Sequence, residues 1–504
     1  MGSRITKLKR NSFLAVVYQV LLVVSGFLLT RTFLKYYGSE VYGLSTSVAQ
    51  FLSLINLCDL GIAAVISAAL YRVLAEHDLR AMGRIMAFSR KFFGIIGLIL
   101  MGYVACLALF YPRIAAPGFD PVFTVTLILA MSISQFGQYF LGISNQILLN
   151  ADQKSYIPLS VNGITLILNT AASVLIMVSG GSIQTVMLTT SLIYLARPVF
   201  LSLYVKKHYA LDGSEKASGD AVPQKLSAAV QHVSYLVYSN TDVAVLTLCS
   251  VLSNVSVYSV YTMITGGIRS FITAATTGVQ ALFGNLIANG ETEKLNRAYG
   301  LYEWAVHTVT VLLYTVAGIL IVPFVMIYTR GITDAEYRNV SFAVLITLAF
   351  ATMMLRDAGY VLIRAAGHFK KTQTAAMAEA VLNLGISVSL VRRFGLAGVA
   401  AGTLSASLFF LFYQARYFTK NILKRPPVQF LKQIGLDTAQ CLCMLLTASR
   451  IPVSEEGYFG WFGSAILIGA VCLAVSAVFQ FVFFRPQLAA AKDMLRKTGR
   501  PSDV

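Results

Sequence analysis

This sequence has little charge and few of the features that usually mark chemistry. Charged residues make up 12% of its 504 positions, against about one-quarter in soluble globular proteins, which excludes an ordinary water-exposed surface. It has 6 cysteines. All of them (Cys58, Cys106, Cys249, Cys441, Cys443 and Cys472) fall in apolar blocks, so they read as small packing residues and exclude a disulfide framework. Cys441 and Cys443 have the wrong spacing for a zinc site. No GxxxxGK[ST] loop, HExxH helix or G-x-S-x-G elbow occurs. Transport powered by nucleotide binding within the chain is thereby set aside, and no catalytic residue, metal ligand or cofactor is expected. The 5 histidines are dispersed, four in or near inner loops and His307 near an inner helix end.

What the sequence does have is apolar residues, 57% of the total, gathered in about fourteen blocks. These run over 13–34, 44–70, 92–111, 122–149, 157–178, 183–205, 228–250, 257–287, 302–327, 340–363, 374–390, 396–418, 431–448 and 461–484. A helix needs about 20 apolar residues to cross a hydrocarbon core of roughly 30 Å. Unpaired backbone groups in lipid are too costly for strands or open loops. The expected fold is all-α, a polytopic membrane protein of about 14 transmembrane helices. Block 374–390 is the weakest, being short and containing Glu379. The N-terminal basic stretch precedes a block too long for a signal peptide, with no small-x-small cleavage site after it, so it reads as a retained first helix.

Loop charges give the orientation. With the N-terminus inside, 29 of the 40 basic residues fall in inner segments, 8 lie in outer loops or helix ends and 3 lie within the membrane. The excess inside places both termini in the cytoplasm, with Arg392 and Arg393 as a local violation. The net charge of +18 therefore restates topology and an inner face against anionic lipid headgroups. The basic residues are scattered over many short loops, so no nucleic acid is expected as a partner.

The halves superpose at an offset of 216 residues. Val41-Tyr42 falls on Val257-Tyr258, Thr46 on Thr262, Leu79 on Leu295, Phe88 on Trp304, Lys154 on Lys370 and Leu168 on Leu384. Six helices fit the offset, and an even number returns the chain to the same side, so the repeats are parallel. The predicted organisation is a six-helix lobe over 1–205, a cytoplasmic linker over 206–226 containing LDGSEKASGDAVPQK, a second six-helix lobe over 227–420, and an appended helix pair with a basic tail over 421–504. Two lobes around a central cleft suit alternating access about a midplane site.

Intramembrane charge costs at least roughly 2.5–3.5 kcal/mol, so the few such residues are site candidates. Asp59, Asp242 and Arg269 lie mid-block at similar depth, and Arg31 sits toward the outer end of the first block. The functional reading is a hydrated cavity in which arginine binds phosphate oxygens bidentately. Asp59 and Asp242 would hold those arginines or carry a coupling ion, with Glu379 as a minor candidate. The alternative is that Asp242 and Arg269 form a buried structural pair. Arg197 and the Arg356-Asp357 neighbours are explained as well by snorkelling as by function. Gly398 and Gly402 in GLAGVAAG read as close helix packing.

The stretches FLLTRTFLKYYGSEVYGLSTSV, DLGIAAVISAAL, NTDVAVLTLCSVLSNVSVYSVYTMI and AAGHFKKTQTAAMAEAVLNLGISVSLVRRFGLAGVAAGTLSA resemble the polysaccharide-repeat flippases of the multidrug/oligosaccharidyl-lipid/polysaccharide exporter superfamily. The resemblance spans essentially the whole chain as a pattern of weak motifs. It implies a V-shaped cavity lined by the first, second, seventh and eighth helices, the ones holding Arg31, Asp59, Asp242 and Arg269. It also implies a polyprenyl-pyrophosphate-linked glycan as substrate, passed from inner to outer leaflet of a bacterial cytoplasmic membrane. Polysaccharide polymerase and glycosyltransferases would be its partners. Fourteen helices also resemble the lipid II flippase branch. The competing functions are a cation-coupled multidrug exporter, which calls for an acidic, arginine-poor cavity, and a membrane polymerase or ligase, which calls for a large outer loop.

Overall fold

The computed structural model describes residues 2–59, 61–76, 78–209, 226–276 and 278–498. The predicted linker lies almost wholly outside them, as does the end of the basic tail. Among the described residues the chain is helical, with no strand. The helices are α1 (Gly2–Ser53), α2 (Ile62–Glu76), α3 (Leu79–Ile114), α4 (Pro121–Gly137), α5 (Ile143–Ala151), α6 (Tyr156–Val178), α7 (Ile183–His208), α8 (Leu226–Cys249), α9 (Leu252–Ala275), α10 (Val279–Ala288), α11 (Thr292–Tyr328), α12 (Val340–Ala365), α13 (Phe369–Phe418), α14 (Val428–Ala448), α15 (Tyr458–Phe483) and α16 (Arg485–Thr498). A 3₁₀ turn, Leu54–Asp59, separates α1 from α2.

Nine helical stretches among the described residues are long and apolar enough to cross a bilayer. Two of them, Phe13–Asp59 with 47 residues and Lys370–Leu423 with 54, are more than twice the length one crossing needs. Each is broken by a glycine that only a residue without Cβ adopts at little cost: Gly38 at φ 78° and Gly395 at φ 54°. The short block with Glu379 is thus the first arm of a helical hairpin, which turns at Gly395. Gly402 packs back on that arm so closely that a Cβ would lie 2.2 Å from Ser387 Oγ. Helix starts are written in short polar residues. Asp78 caps α3 by accepting from Ala81 N at 3.0 Å, Asp120 caps α4 ahead of Pro121, and Asn339 caps α12.

The chain divides into two compact units. The first comprises the chain up to Ser256 together with Ile332–Ala335, and the second Val257–Gly331 and the chain from Glu336. The first unit therefore takes in α8, one helix beyond the linker. Its apolar core joins Leu44, Leu52, Ile66, Leu70, Phe93 and Leu100 to Leu127 and Leu148. A polar seam runs between α1 and α8: Ser47 Oγ lies 2.7 Å from Thr247 Oγ1, and Asn240 Oδ1 accepts from Gln50 and Ser53. Gly43 lets the α1 backbone meet the start of α9, since a Cβ there would lie 1.9 Å from the Leu252 carbonyl oxygen. In the second unit, Phe283, Tyr299, Leu362 and Phe418 form one core cluster. Val311, Met444, Ile468 and Cys472 form another, seating the α14–α15 pair on α11. Cys472 packs as the sequence suggests, whereas Cys106 and Cys443 are exposed.

Candidate functional site

In the second unit, four charged side chains from three helices meet inside apolar segments. Arg269 on α9 donates from Nη2 to Asp357 Oδ2 on α12 at 2.9 Å, both side chains being about one-fifth exposed (21% and 24%). Arg356 precedes Asp357 and is 4% exposed. It donates to Glu379 on α13, itself 6% exposed. Arg356 Nε also lies 3.9 Å from Asp357 Oδ1. One carboxylate thus stands between two guanidiniums, one deep and one accessible. The four charges sum to zero, which is what a low-dielectric interior requires.

Local structure fixes the accessible end. Tyr314 Oη on α11 donates to the Thr265 carbonyl at 2.9 Å, one turn before Arg269. Below Arg269 the helix stops at Ala275, and α10 starts from Gly278 at φ 95°. Arg356 is steadied by the Phe410 ring, whose centroid is 5.3 Å away. Snorkelling does not describe Arg356, because its head group is buried and paired. Sequence reasoning also missed Asp357 as the partner of Arg269, and it treated Glu379 as minor. The available signal was the adjacent Arg356-Asp357 pair, which left no room for both heads to reach one surface.

Arg31, Asp59 and Asp242 lie in the first unit. Arg31 is half-buried on α1, next to buried Thr30, whose Oγ1 lies 3.0 Å from Tyr42 Oη. Asp59 closes the 3₁₀ turn and accepts from Ala63 N at 3.4 Å, so it stands at a helix break rather than within a continuous helix. Asp242 is buried on α8, two residues beyond Asn240. α8 packs against both α1 and the turn that ends in Asp59. Arg197 donates to Thr165 Oγ1 at 2.6 Å and lies over the Tyr194 ring.

Outside the spans, the turn between α5 and α6 carries its own lock. Asp152 accepts from Lys154 Nζ at 2.7 Å and from Tyr209 Oη at 2.5 Å. Burial opposes the charge on Lys154, but its hydrogen bonds to Asp152 and Tyr209 outweigh that and hold the ammonium above its ordinary value. Burial and the neighbouring Lys371 pull His368 below its ordinary value.

The sequence matches no family model and no curated protein sequence. The fold does match solved structures. One, described as lipid II flippase MurJ in an inward closed conformation, aligns with a TM-score of 0.69 at 17% identity, covering 94% of this chain and 99% of that one. An inward-facing multidrug resistance MATE family transporter of the MOP superfamily aligns at 0.59 and 12% identity, covering 81% and 98%. The MATE multidrug transporter DinF-BH aligns at 0.57 and 13%, covering 82% and 95%. The chain is a multi-pass membrane protein with the fold shared by the MurJ flippase and the MATE transporters of the MOP superfamily.

Proposed function

We propose that this chain flips a polyprenyl-pyrophosphate-linked oligosaccharide from the inner to the outer leaflet of a bacterial cytoplasmic membrane, by alternating access between two six-helix lobes. The observation that carries the reading is the partly open Arg269–Asp357 pair beside the buried Arg356–Glu379 pair. Arginine stays charged and binds phosphate bidentately, and here its resting partner is a carboxylate with a second guanidinium 3.9 Å away. An incoming pyrophosphate takes Arg269, Asp357 shifts its hydrogen bonding to Arg356, and no charge is stranded. On release Asp357 returns, so the empty site can reorient. The likeness to a structure named as a lipid II flippase, over nearly the full length of both chains, supports the same class of cargo. Arg31 is the second candidate phosphate contact, and Asp59, Asp242 and Glu379 are the candidates for the coupling ion. Both termini are cytoplasmic in this reading.

The test is flipping of a lipid-linked sugar in vesicles. Arg269→Ala should abolish it, and Arg269→Lys should keep part of it, since charge survives without the planar fork. Asp357→Asn should bind substrate more tightly and turn over more slowly. If export of a cationic drug persists in Arg269→Ala and no lipid-linked sugar moves in the parent protein, the exporter reading replaces this one.

A further inference from the structure

The α14–α15 pair closes over a second buried charge cluster, separate from the site above. On α11, Glu303, His307 and Thr310 follow one another at helical spacing, and all three are buried. His307, 1% exposed, places Nδ1 2.6 Å from Asp437 Oδ2 on α14. The other oxygen of Asp437 accepts from Gln433 Nε2 at 3.0 Å. An ionised carboxylate only accepts, so Nδ1 carries a hydrogen, and in the neutral ring Nε2 presents a lone pair. That Nε2 is buried with no hydrogen-bond partner among the described residues. The same is true of Glu303 Oε1 one turn earlier and Thr310 Oγ1 one turn later. Glu303 Oε2 accepts from Arg425 Nη2 at 2.5 Å, just before α14 begins.

The charges point the same way. Asp437 and Glu303 bring two negative charges and Arg425 one positive, so with a neutral His307 the cluster holds one negative charge too many. A proton on His307 Nε2 balances it and also creates a donor one helical turn from Glu303 and from Thr310. Among the described side chains no other charge from the surrounding elements does this, Arg364, Lys420 and Lys424 being exposed. On α12, Arg356 and Asp357 are engaged with Glu379 and Arg269. Lys432 on α14 and Arg485 and Lys492 on α16 are exposed, as are Glu293, Lys294 and Arg297 on α11. α15 contributes only uncharged groups, in a seam where Trp304 Nε1 donates to Gln480 Oε1 at 2.6 Å and Gln480 Nε2 to Gln440 at 3.2 Å.

We propose that His307, oriented by Asp437 and faced by Glu303, is a proton-binding site that ties the α14–α15 pair to α11. The appended helices then do more than anchor: they supply the carboxylate that sets the proton affinity of an intramembrane histidine. Loading the proton tightens the α11–α14 seam, and losing it leaves a buried negative charge that loosens it.

The site is tested on the full chain without any glycan, so it stands or falls apart from flipping. Nitrogen-15 histidine resonances are followed from about pH 5 to 9, around the ordinary histidine value of about 6.5. His307→Gln assigns the relevant signal among the 5 histidines. His307 should titrate within that span. Asp437→Asn should lower its proton affinity by about tenfold or more, the equivalent of at least one pKa unit. Asp437→Glu should keep most of the affinity, which separates the charge effect from misfolding. A His307 ring that stays in one protonation state throughout, or a titration unmoved by Asp437→Asn, overturns the proposal.

Discussion

Breaking the deep ion pair and breaking the accessible one should have opposite consequences. Arg356 and Glu379 are 4% and 6% exposed, so removing either strands its partner in a low-dielectric interior. Such truncations cost about 3–5 kcal/mol, whereas replacing both members with apolar residues of similar volume is close to neutral. Arg356→Ala should therefore leave a protein that loses its monodisperse peak after mild heating in detergent, and Arg356→Met with Glu379→Leu should recover it. Arg269 and Asp357 are about one-fifth exposed. Discounted for that access, the pair contributes about 1 kcal/mol, so Asp357→Asn should shift the melting behaviour little while altering flipping strongly. The assay is size-exclusion of purified protein after heating over a temperature series, beside flipping in vesicles. Heat inactivation of a chain this size reports a rate and not an equilibrium, so the comparison rests on rank order among variants. If Asp357→Asn is as heat-labile as Arg356→Ala, the accessible pair is structural and the phosphate site is wrong. If the apolar double variant folds and flips at the parental rate, Glu379 has no part in ion coupling.

Three further outcomes follow, two from local geometry and one from the loop charges. Gly43→Ala should destabilise the first unit by about 1–3 kcal/mol, because the added methyl meets the Leu252 carbonyl oxygen and the start of α9 must move away from α1; faster proteolysis near Ser256 would show it, and unchanged proteolysis would refute it. The Lys154 ammonium, held above its ordinary value, contributes stability that is complete below the unfolded lysine pKa of about 10.4 and is lost only as pH rises through the elevated folded value. Amide protection over 151–157 should therefore persist past pH 10 in the parent and be weaker at every pH in Lys154→Met; equal protection in the two would count against the lock. Reporters fused after Lys216 and after Lys424 should both read as cytoplasmic, following the split of 29 inner against 8 outer basic residues, and an external signal at either site would undo the topology.

The all-helical fold was legible because lipid leaves the backbone almost no alternative, so apolar length alone identifies a crossing. Where lengths misled, the cause was a glycine. Gly61 at φ 73° and Gly278 at φ 95° interrupt the blocks 44–70 and 257–287, each of which reads as one crossing, and a left-handed backbone at one residue leaves no trace in hydropathy. The breaks at Gly38 and Gly395 fall in gaps between apolar blocks, but Glu379 looked like a sign of a doubtful span. In the fold, the turn at Gly395 and the close approach of Gly402 make that span an inner arm, where its carboxylate meets Arg356.

The same reasoning explains which parts of the site were visible. Arg269 could be singled out from its depth alone, because a lone charge mid-block has no cheap structural explanation. Its partner could not, since Asp357 stands 88 residues away and beside an arginine that already accounted for it. His307 was harder still. A histidine near the end of an apolar block is uncharged by default and attracts no electrostatic argument. Only the fold brings Asp437, 130 residues later, against its ring. Sequence depth therefore identifies isolated charges, while charges that cancel in pairs stay hidden until the helices are packed. Balance within each cluster then becomes the useful test. The Arg269–Asp357–Arg356–Glu379 set is neutral as it stands and needs an anionic headgroup only to exchange with one of its own carboxylates. The Glu303–His307–Asp437–Arg425 set is neutral only when a proton is bound, which gives one unit of the chain two differently poised sites.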